Sequence, residues 1–206
     1  MNREAYLRAV GGRVYPTLRT AGFRGSGATL RRVREPVVHV FNVQGSTGAD
    51  RCYVNLGVHL TVLAGPGGDA TDPAGIRVPG CAFRQRLEPD RSSFPGDTHG
   101  AWPYGDTAAA ADASVRLVEA AVVREALPFF DRFASFPGDF QRFVDAVDEA
   151  RTHPGLLAGH AELALALGDL ERCGTFVREA LRTCPDRATG LRARLEGLSA
   201  RAARDA

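Results

Sequence analysis

Hydrophobic residues recur every three or four positions in the first segment of the chain, residues 3–21. The stripe is formed by Leu7, Val10, Val14, Leu18 and Ala21. This spacing predicts an amphipathic α-helix, with Asn2 suited to cap its start and Gly22 to end it. Because Pro16 has no backbone donor, we expect a kink or a break near it.

After Phe23 the hydrophobic period changes to two, which is typical of β-strands. The alternation predicts four strands, over residues 28–34, 37–44, 51–62 and 81–87. Glycine- and proline-rich stretches at 64–80 and 88–105 predict loops. Residues 106–206 return to a helical period, so the predicted class is α+β: an N-terminal helix, a four-stranded, mostly antiparallel sheet, and C-terminal helices packed on one face.

The second and third predicted strands each have one apolar and one polar face. A pairing of residue i with residue 95 − i places Val43 opposite Cys52 on the apolar face and Asn42 opposite Tyr53 on the polar face. A slip by one residue would mix the two faces, so we predict this register.

The helical region begins at Asp106 with a stripe through Val115 and Val118, and we expect this first helix to end at Pro128. A second helix is predicted after Pro137 and Gly138.

Further on, residues 156–168 and 169–183 predict a helical hairpin, and Asp186 is the expected cap of a last helix. We predict an α+β domain over residues 1–150 and a helical extension over 151–206, packed on the same domain.

Composition adds that this is an ordinary globular chain with an uneven charge distribution. The 206 residues are 44% hydrophobic and 24% charged, and all 26 basic side chains are arginine. The net charge of +2 is the sum of +7 over residues 1–34, −2 over 35–105, −5 over 106–149 and +2 over 150–206. We expect the basic first segment to lie against the acidic helices, rather than the whole chain to bind nucleic acid.

Several function classes are excluded or disfavoured by what the chain lacks. It has no apolar run long enough to span a membrane and no secretory signal. Its four cysteines are widely spaced without a Cys/His cluster, so we expect neither structural zinc nor disulfides. Without lysine there is no P-loop and no Schiff-base chemistry. We expect a cytoplasmic protein with no metal, no cofactor and no membrane partner.

The polar face of the predicted sheet is the first candidate site. It carries the ligand-binding candidates Asn42, Gln44, Tyr53, Asn55, His59, Arg84 and Arg86. Amides, a phenol and guanidinium groups together can bind a carboxylate, a phosphate or a peptide backbone. The alternative is that this face is simply the solvent side of a sheet covered on one side.

The two strand histidines have different predicted roles. His39 falls on the apolar face and is interpreted as a core histidine, whereas His59 on the polar face is the better acid/base candidate. Because no Asp or Glu in the strands would orient His59, a catalytic triad is unsupported and no catalytic residue is assigned.

Several sequence pieces together resemble one bacterial family. They are the helix end Leu18–Phe23, Leu30–Arg32, Phe41–Ser46, Tyr53–Val58 and Arg84–Leu87. Over roughly residues 4–135 the chain resembles the domain of unknown function 4304 (DUF4304). The resemblance implies an α+β domain with an antiparallel sheet and carries no activity with it. The insert at 64–80 and the helices after residue 150 depart from the pattern.

Three functions stay open on these residues. We favour a non-enzymatic binding or protein-interaction domain, of the kind that serves as an immunity-type or regulatory partner of another protein. One alternative is an enzyme that binds a small molecule on the polar sheet face. The other is RNA binding through the nucleic-acid candidates Arg19, Arg24, Arg31 and Arg32. A ligand site predicts a concave polar sheet face, whereas an interaction module predicts an exposed patch on the last two helices.

Overall fold

The computed structural model describes residues 2–46, 48–63, 71–94 and 100–205. Two compact units are present, Met1–Ala134 and Ser135–Ala206. This division rests on compactness alone, so the boundary expected at residue 150 stays a prediction.

The first unit consists of an N-terminal helix, an antiparallel sheet and a helical segment that follows the sheet. The helices are α1 (Arg3–Thr20), α2 (Ala108–Ala121) and α3 (Leu127–Asp131). The strands are β1 (Arg24–Ser26), β2 (Thr29–Arg34), β3 (Val37–Gly45), β4 (Arg51–Leu60), β5 (Phe83–Leu87) and β6 (Trp102–Pro103). The strand order is β1-β2-β3-β4-β5, and β6 also pairs with β4. The predicted α+β class is confirmed, while the predicted count of four strands is low because β1 and β6 are too short to show alternation.

Helix α1 is closed at both ends by its own sequence. The Asn2 side chain accepts a hydrogen bond from the backbone N–H of Ala5 at 2.9 Å, and Gly22 takes a φ of +93°. The N–H of Phe23 then donates to the carbonyl of Leu18 at 3.0 Å, which completes a Schellman motif. The predicted break near Pro16 is absent, since α1 continues past this exposed residue to Thr20.

The register of β3 and β4 differs from the predicted one by two residues. Val43 lies opposite Val54, and Gly45 is still paired with Cys52. The predicted strand ended at residue 44. Because β3 also includes Gly45, the connection to β4 is shorter than predicted and each residue of β3 has a different partner. A shift of two preserves the faces, so Asn42 and its new partner Asn55 lie on the polar face as expected.

The helical segment after the sheet does not end at Pro128. A π-helical turn, Val122–Ala126, joins α2 to α3, and the N–H of Leu127 donates to the carbonyl of Val122. In such a turn residue i bonds to i−5, and proline offers no donor for the usual i−4 partner. The π-turn therefore lets the helical path continue through Pro128 to Asp131.

His39 is a core histidine, as interpreted from the sequence. The Nε of Arg32 donates to its Nδ1 at 3.1 Å, so its Nε2 carries the proton and donates to the carbonyl of Phe133 at 2.9 Å. The His39 ring also packs edge-to-face against Phe130, and the two ring centres are 5.3 Å apart. Burial, and secondly the charge of Arg32, lowers the pKa of His39 to about 4, so the ring is neutral near pH 7.

The expected attraction between the basic first segment and the acidic helices is confirmed at α2. Arg13 of α1 lies 3.6 Å from Asp112 and 3.5 Å from Glu119. These side chains are partly exposed, so each pair adds at most about 1 kcal/mol to stability.

The second unit contains only helices among its described residues. They are α4 (Gly138–Asp145), α5 (Pro154–Ala166), α6 (Leu170–Thr183) and α7 (Thr189–Asp205). The predicted hairpin is confirmed: Gly168, with a φ of +78°, turns the chain between α5 and α6, and Asp169 caps α6 at the N–H of Arg172. Asp186 does not cap α7. It lies three residues before Thr189, the first residue of the helix, and accepts a hydrogen bond from the Arg192 side chain at 2.8 Å.

Replacing His39 by Gln should flatten the dependence of the first unit's stability on pH. Below pH 6.5 the histidine of the unfolded chain becomes protonated, because its pKa is 6.5. The folded His39, with a pKa of about 4, stays neutral until the pH approaches 4. Wild-type stability therefore falls as the pH drops below 6.5 and levels off near 4, by about 3 kcal/mol in total. Urea unfolding of both proteins at about pH 7 and pH 4.5 measures this, and equal losses in the two would contradict a neutral buried His39.

Candidate functional site

The polar face of the sheet brings most of the candidate residues together in two rows that cross the strands. One row runs Thr29, Asn42, Asn55 and Arg86, and the neighbouring row runs Arg31, Val40, Gly57 and Arg84. Each residue lies opposite the next on the adjacent strand, so the rows follow directly from the register. Gln44 extends this surface at the end of β3, opposite Tyr53.

A groove with a volume of about 1110 Å³ lies over these rows. We call it the arginine groove. Its described lining is Gly25, Ser26, Ala28, Thr29, Arg31, Asn42, Gln44, Asn55, Arg77, Val78, Pro79, Arg84, Gln85 and Arg86. Five of the seven predicted ligand-binding residues thus face one concavity, while Tyr53 and His59 are not part of the lining.

The amides on the groove floor are hydrogen-bonded to one another in one direction. Asn42 Nδ2 donates to Thr29 Oγ1 at 2.9 Å, and Asn55 Nδ2 donates to Asn42 Oδ1 at 3.5 Å and to Gln44 Oε1 at 3.4 Å. Over the described residues, Asn55 Oδ1 and Gln44 Nε2 form no hydrogen bond with the protein. The floor therefore offers a ligand one acceptor and one amide donor group.

Two of the groove's four arginines are held in place by the protein. Arg31 donates to the carbonyls of Ile76 at 2.8 Å and Gly75 at 3.3 Å. The guanidinium of Arg86 stacks 4.3 Å from the ring centre of Tyr53, which gives this phenol a positioning role rather than a place in the lining.

The charge of the groove is positive and is not neutralised within the described chain. Arg77 and Arg84 are exposed, and none of the four lining arginines pairs with a carboxylate of the described residues. Nor does a described acidic side chain line the groove. An anion entering it would meet guanidinium groups that have no carboxylate partner among the described residues.

A second groove, beside α1 and α2, is a useful comparison. It has a volume of about 570 Å³ and contains Arg13 together with Asp112 and Glu119, the same carboxylates that form ion pairs with Arg13. In this second groove, Asp112 and Glu119 offset the charge of Arg13. The arginine groove differs from it because its arginines have no carboxylate partner among the described residues.

Part of the polar sheet face is closed by residues 71–82, which we call the covering segment. Its residues Val78 and Cys81 pack on Val38 and Val40, with Ile76 partly buried beside them. Val78 and its neighbours Arg77 and Pro79 also form one wall of the arginine groove. The sequence predicted a loop up to residue 80, because its apolar residues are scattered among glycines and prolines without a regular period, and a strand from residue 81, whereas β5 begins at Phe83.

His59 lies beneath this segment, which corrects its candidacy as an accessible acid or base. Only 3% of the residue is exposed. Its Nδ1 accepts from the N–H of Ala82 at 3.3 Å, and its Nε2 bonds to the hydroxyl of Thr71 at 2.9 Å. The ring thus fastens both ends of the covering segment to the sheet instead of facing a ligand.

The four nucleic-acid candidates are not gathered on one surface. Arg31 lines the arginine groove, whereas Arg24 is exposed and donates to the carbonyls of Arg19 and Phe23. Arg32 is on the opposite, buried face of the sheet, where it bonds to His39 and lies 3.6 Å from Asp131. It is therefore a core residue: its place opposite His39 turns it inward, away from any nucleic acid.

Arg77 is a groove residue that was missed from the sequence. It belongs to a stretch with no hydrophobic period, so no sequence pattern indicated its direction. Thr29 was missed as well, although its place two residues before Arg31 on the same strand was a usable signal.

The comparisons with known proteins give a family and no activity. The family model described as "Domain of unknown function (DUF4304)" matches residues 14–132. No curated protein and no solved structure matches the chain. In the described ranges every helix is too short or too polar to cross a bilayer, and those ranges hold no group of three His, Cys, Asp or Glu side chains placed to bind a metal ion.

Replacing Gly57 by Ala should loosen the covering segment. A Cβ at this position would lie 2.6 Å from the Sγ of Cys81, so the segment must shift, at a cost of about 1–3 kcal/mol. Shortening the partner in Cys81→Ala removes the closest contact, and the double variant should therefore be more stable than the sum of the two single effects implies. Urea unfolding of the four proteins measures this coupling, and strict additivity would contradict the contact.

Proposed function

The chain belongs to the DUF4304 family, and we propose that it is a non-enzymatic binding protein whose arginine groove binds an acidic region of another protein. An immunity-type or regulatory partner would have this requirement. We also propose a bacterial, cytoplasmic setting. The family resemblance supports a bacterial origin. The four free, buried cysteines support a cytoplasmic location, since a reducing compartment keeps thiols unpaired.

The observation that carries the proposal is that Arg31, Arg77, Arg84 and Arg86 surround one groove without a carboxylate partner among the described residues. A guanidinium group binds a carboxylate with two parallel hydrogen bonds, and these are among the stronger hydrogen bonds in proteins. Four such groups without a counter-charge in the described part of the chain favour an acidic ligand. They also attract it from a distance, and this attraction weakens as salt is added.

The chemistry of the described lining supports binding rather than catalysis. Its titratable side chains are all arginines, which stay protonated and act as donors instead of proton-transferring bases. The best acid/base candidate from the sequence, His59, is engaged under the covering segment. A small-molecule enzyme that uses this face would need its proton transfer to come from the substrate.

RNA binding is the competing use of the same charge. Exposed aromatic rings on which bases stack are a usual part of single-strand recognition. The described lining of the groove includes no aromatic side chain, and the ring of Tyr53 already stacks with Arg86 at 4.3 Å. We therefore favour a protein partner, and an RNA ligand is a measurable outcome of the next experiment.

Reversing the groove charge should abolish partner capture. In an affinity purification from the native host, the double variant Arg84→Glu/Arg86→Glu should retain at least about tenfold less of an acidic partner than the wild type, because attraction turns into repulsion. The double variant Arg8→Glu/Arg187→Glu makes the same charge change at exposed positions outside the groove and should capture normally. Unchanged capture by the groove variant, or capture that nuclease treatment destroys, would rule the proposal out.

A further inference from the structure

Two of the groove arginines have a fixed spacing along one strand. Arg84 and Arg86 are two residues apart on β5, opposite Gly57 and Asn55, and both line the groove. Side chains on the same face of a strand repeat roughly every 7 Å. An extended peptide presents its alternate side chains at the same spacing, so carboxylates at two alternate positions would each meet one guanidinium.

The groove floor beside these arginines fits the backbone of such a peptide. Asn55 Oδ1 offers an acceptor and Gln44 Nε2 a donor, and neither is used within the described chain. A peptide group carries one N–H donor and one carbonyl acceptor, which is the complementary set. An isolated carboxylate has only acceptors at neutral pH and could not hydrogen-bond to Asn55 Oδ1.

The arginines are also partly ordered before a ligand arrives. Arg86 is held against Tyr53, and Arg31 on the far wall is held by the carbonyls of Gly75 and Ile76. Pre-ordered side chains lose less conformational entropy on binding, so their geometry selects among ligands instead of adapting to them. The strand spacing of Arg84 from the pre-ordered Arg86 can therefore act as a specificity determinant.

Resting on the proposed function, we infer that the arginine groove recognises an extended segment of the partner with acidic residues at alternate positions, Asp/Glu-x-Asp/Glu. The two carboxylates pair with Arg84 and Arg86, and the peptide backbone beside the carboxylate at Arg86 bonds to Asn55 and Gln44. Arg31 and Arg77 on the other side add positive potential without reading the pattern.

The test uses the full chain and two fluorescein-labelled peptides of identical composition. One has the order Ser-Gly-Glu-Thr-Glu-Thr-Glu-Gly-Ser, and the other, Ser-Glu-Gly-Thr-Glu-Thr-Gly-Glu-Ser, spaces its three glutamates three residues apart so that no two of them are at alternate positions. Fluorescence anisotropy should show the alternating peptide binding about tenfold more tightly, because only it satisfies both guanidinium groups at once. Equal affinity for the two peptides, or preference for the one with the three-residue spacing, would overturn the inference.

Single variants assign the effect to the groove. Arg84→Gln should remove the preference, Arg84→Lys should restore part of the affinity without the two-bond geometry, and Arg8→Gln should behave like the wild type. Circular dichroism checks that each variant is folded. A preference that survives in folded Arg84→Gln would also overturn the inference.

The outcomes separate this inference from the proposed function. If neither peptide binds while Arg84→Glu/Arg86→Glu still abolishes capture of an acidic host protein, only the alternating pattern is wrong. If neither peptide binds and capture is insensitive to that charge reversal, both are wrong. Tighter, Arg84-dependent binding of a labelled 12-nucleotide uridine oligomer than of the alternating peptide would overturn both in favour of RNA.

Discussion

The fold depends on the pairing of β3 with β4, because this pairing decides which side chains are buried and which remain available. Nine residues of β3 pair with nine of β4 in an unbroken antiparallel ladder. Successive residues point to opposite faces, so Phe41 and Leu56 enter the core while Asn42 and Asn55 stay outside. The neighbouring strands β2 and β5 continue these two faces, so Arg32 of β2 faces the core and Arg84 of β5 faces away from it. The core and the arginine groove are thus two results of one register.

The covering segment then determines how large the groove is. It occupies the apolar half of the outer face, where Val38 and Val40 would otherwise meet water, and it leaves the amide half open. Its close approach needs a residue without a side chain at position 57, and His59 bonds to it at both ends. The burial of His59 and the shape of the arginine groove therefore both result from the packing of the covering segment on the sheet.

The sequence predicted the faces of the sheet better than the partners within it. Alternation is a local property, so Asn42, Gln44, Asn55, Arg84 and Arg86 could be assigned to one surface, whereas the register depends on where a turn begins, and Gly45 looked like a turn residue. Arg32 shows a signal that was present and not used: it lies two residues after Leu30, a core residue, and therefore had to share its face. The burial of His59 had no such signal, because the covering segment that encloses it has no hydrophobic period. The π-turn before Pro128 was equally invisible, since proline in a helical pattern normally predicts an end.

The exclusive use of arginine has a regulatory consequence for the groove. The chain contains no lysine, so the groove has no side-chain amine to acetylate or to attach ubiquitin to. For the proposed acidic ligand, release would come from competition, from a rise in ionic strength, or from a change that removes or neutralises one of the ligand's two carboxylates. Under the proposed function, control of the complex would lie with the acidic residues of the partner, because the groove arginines offer no amine to modify.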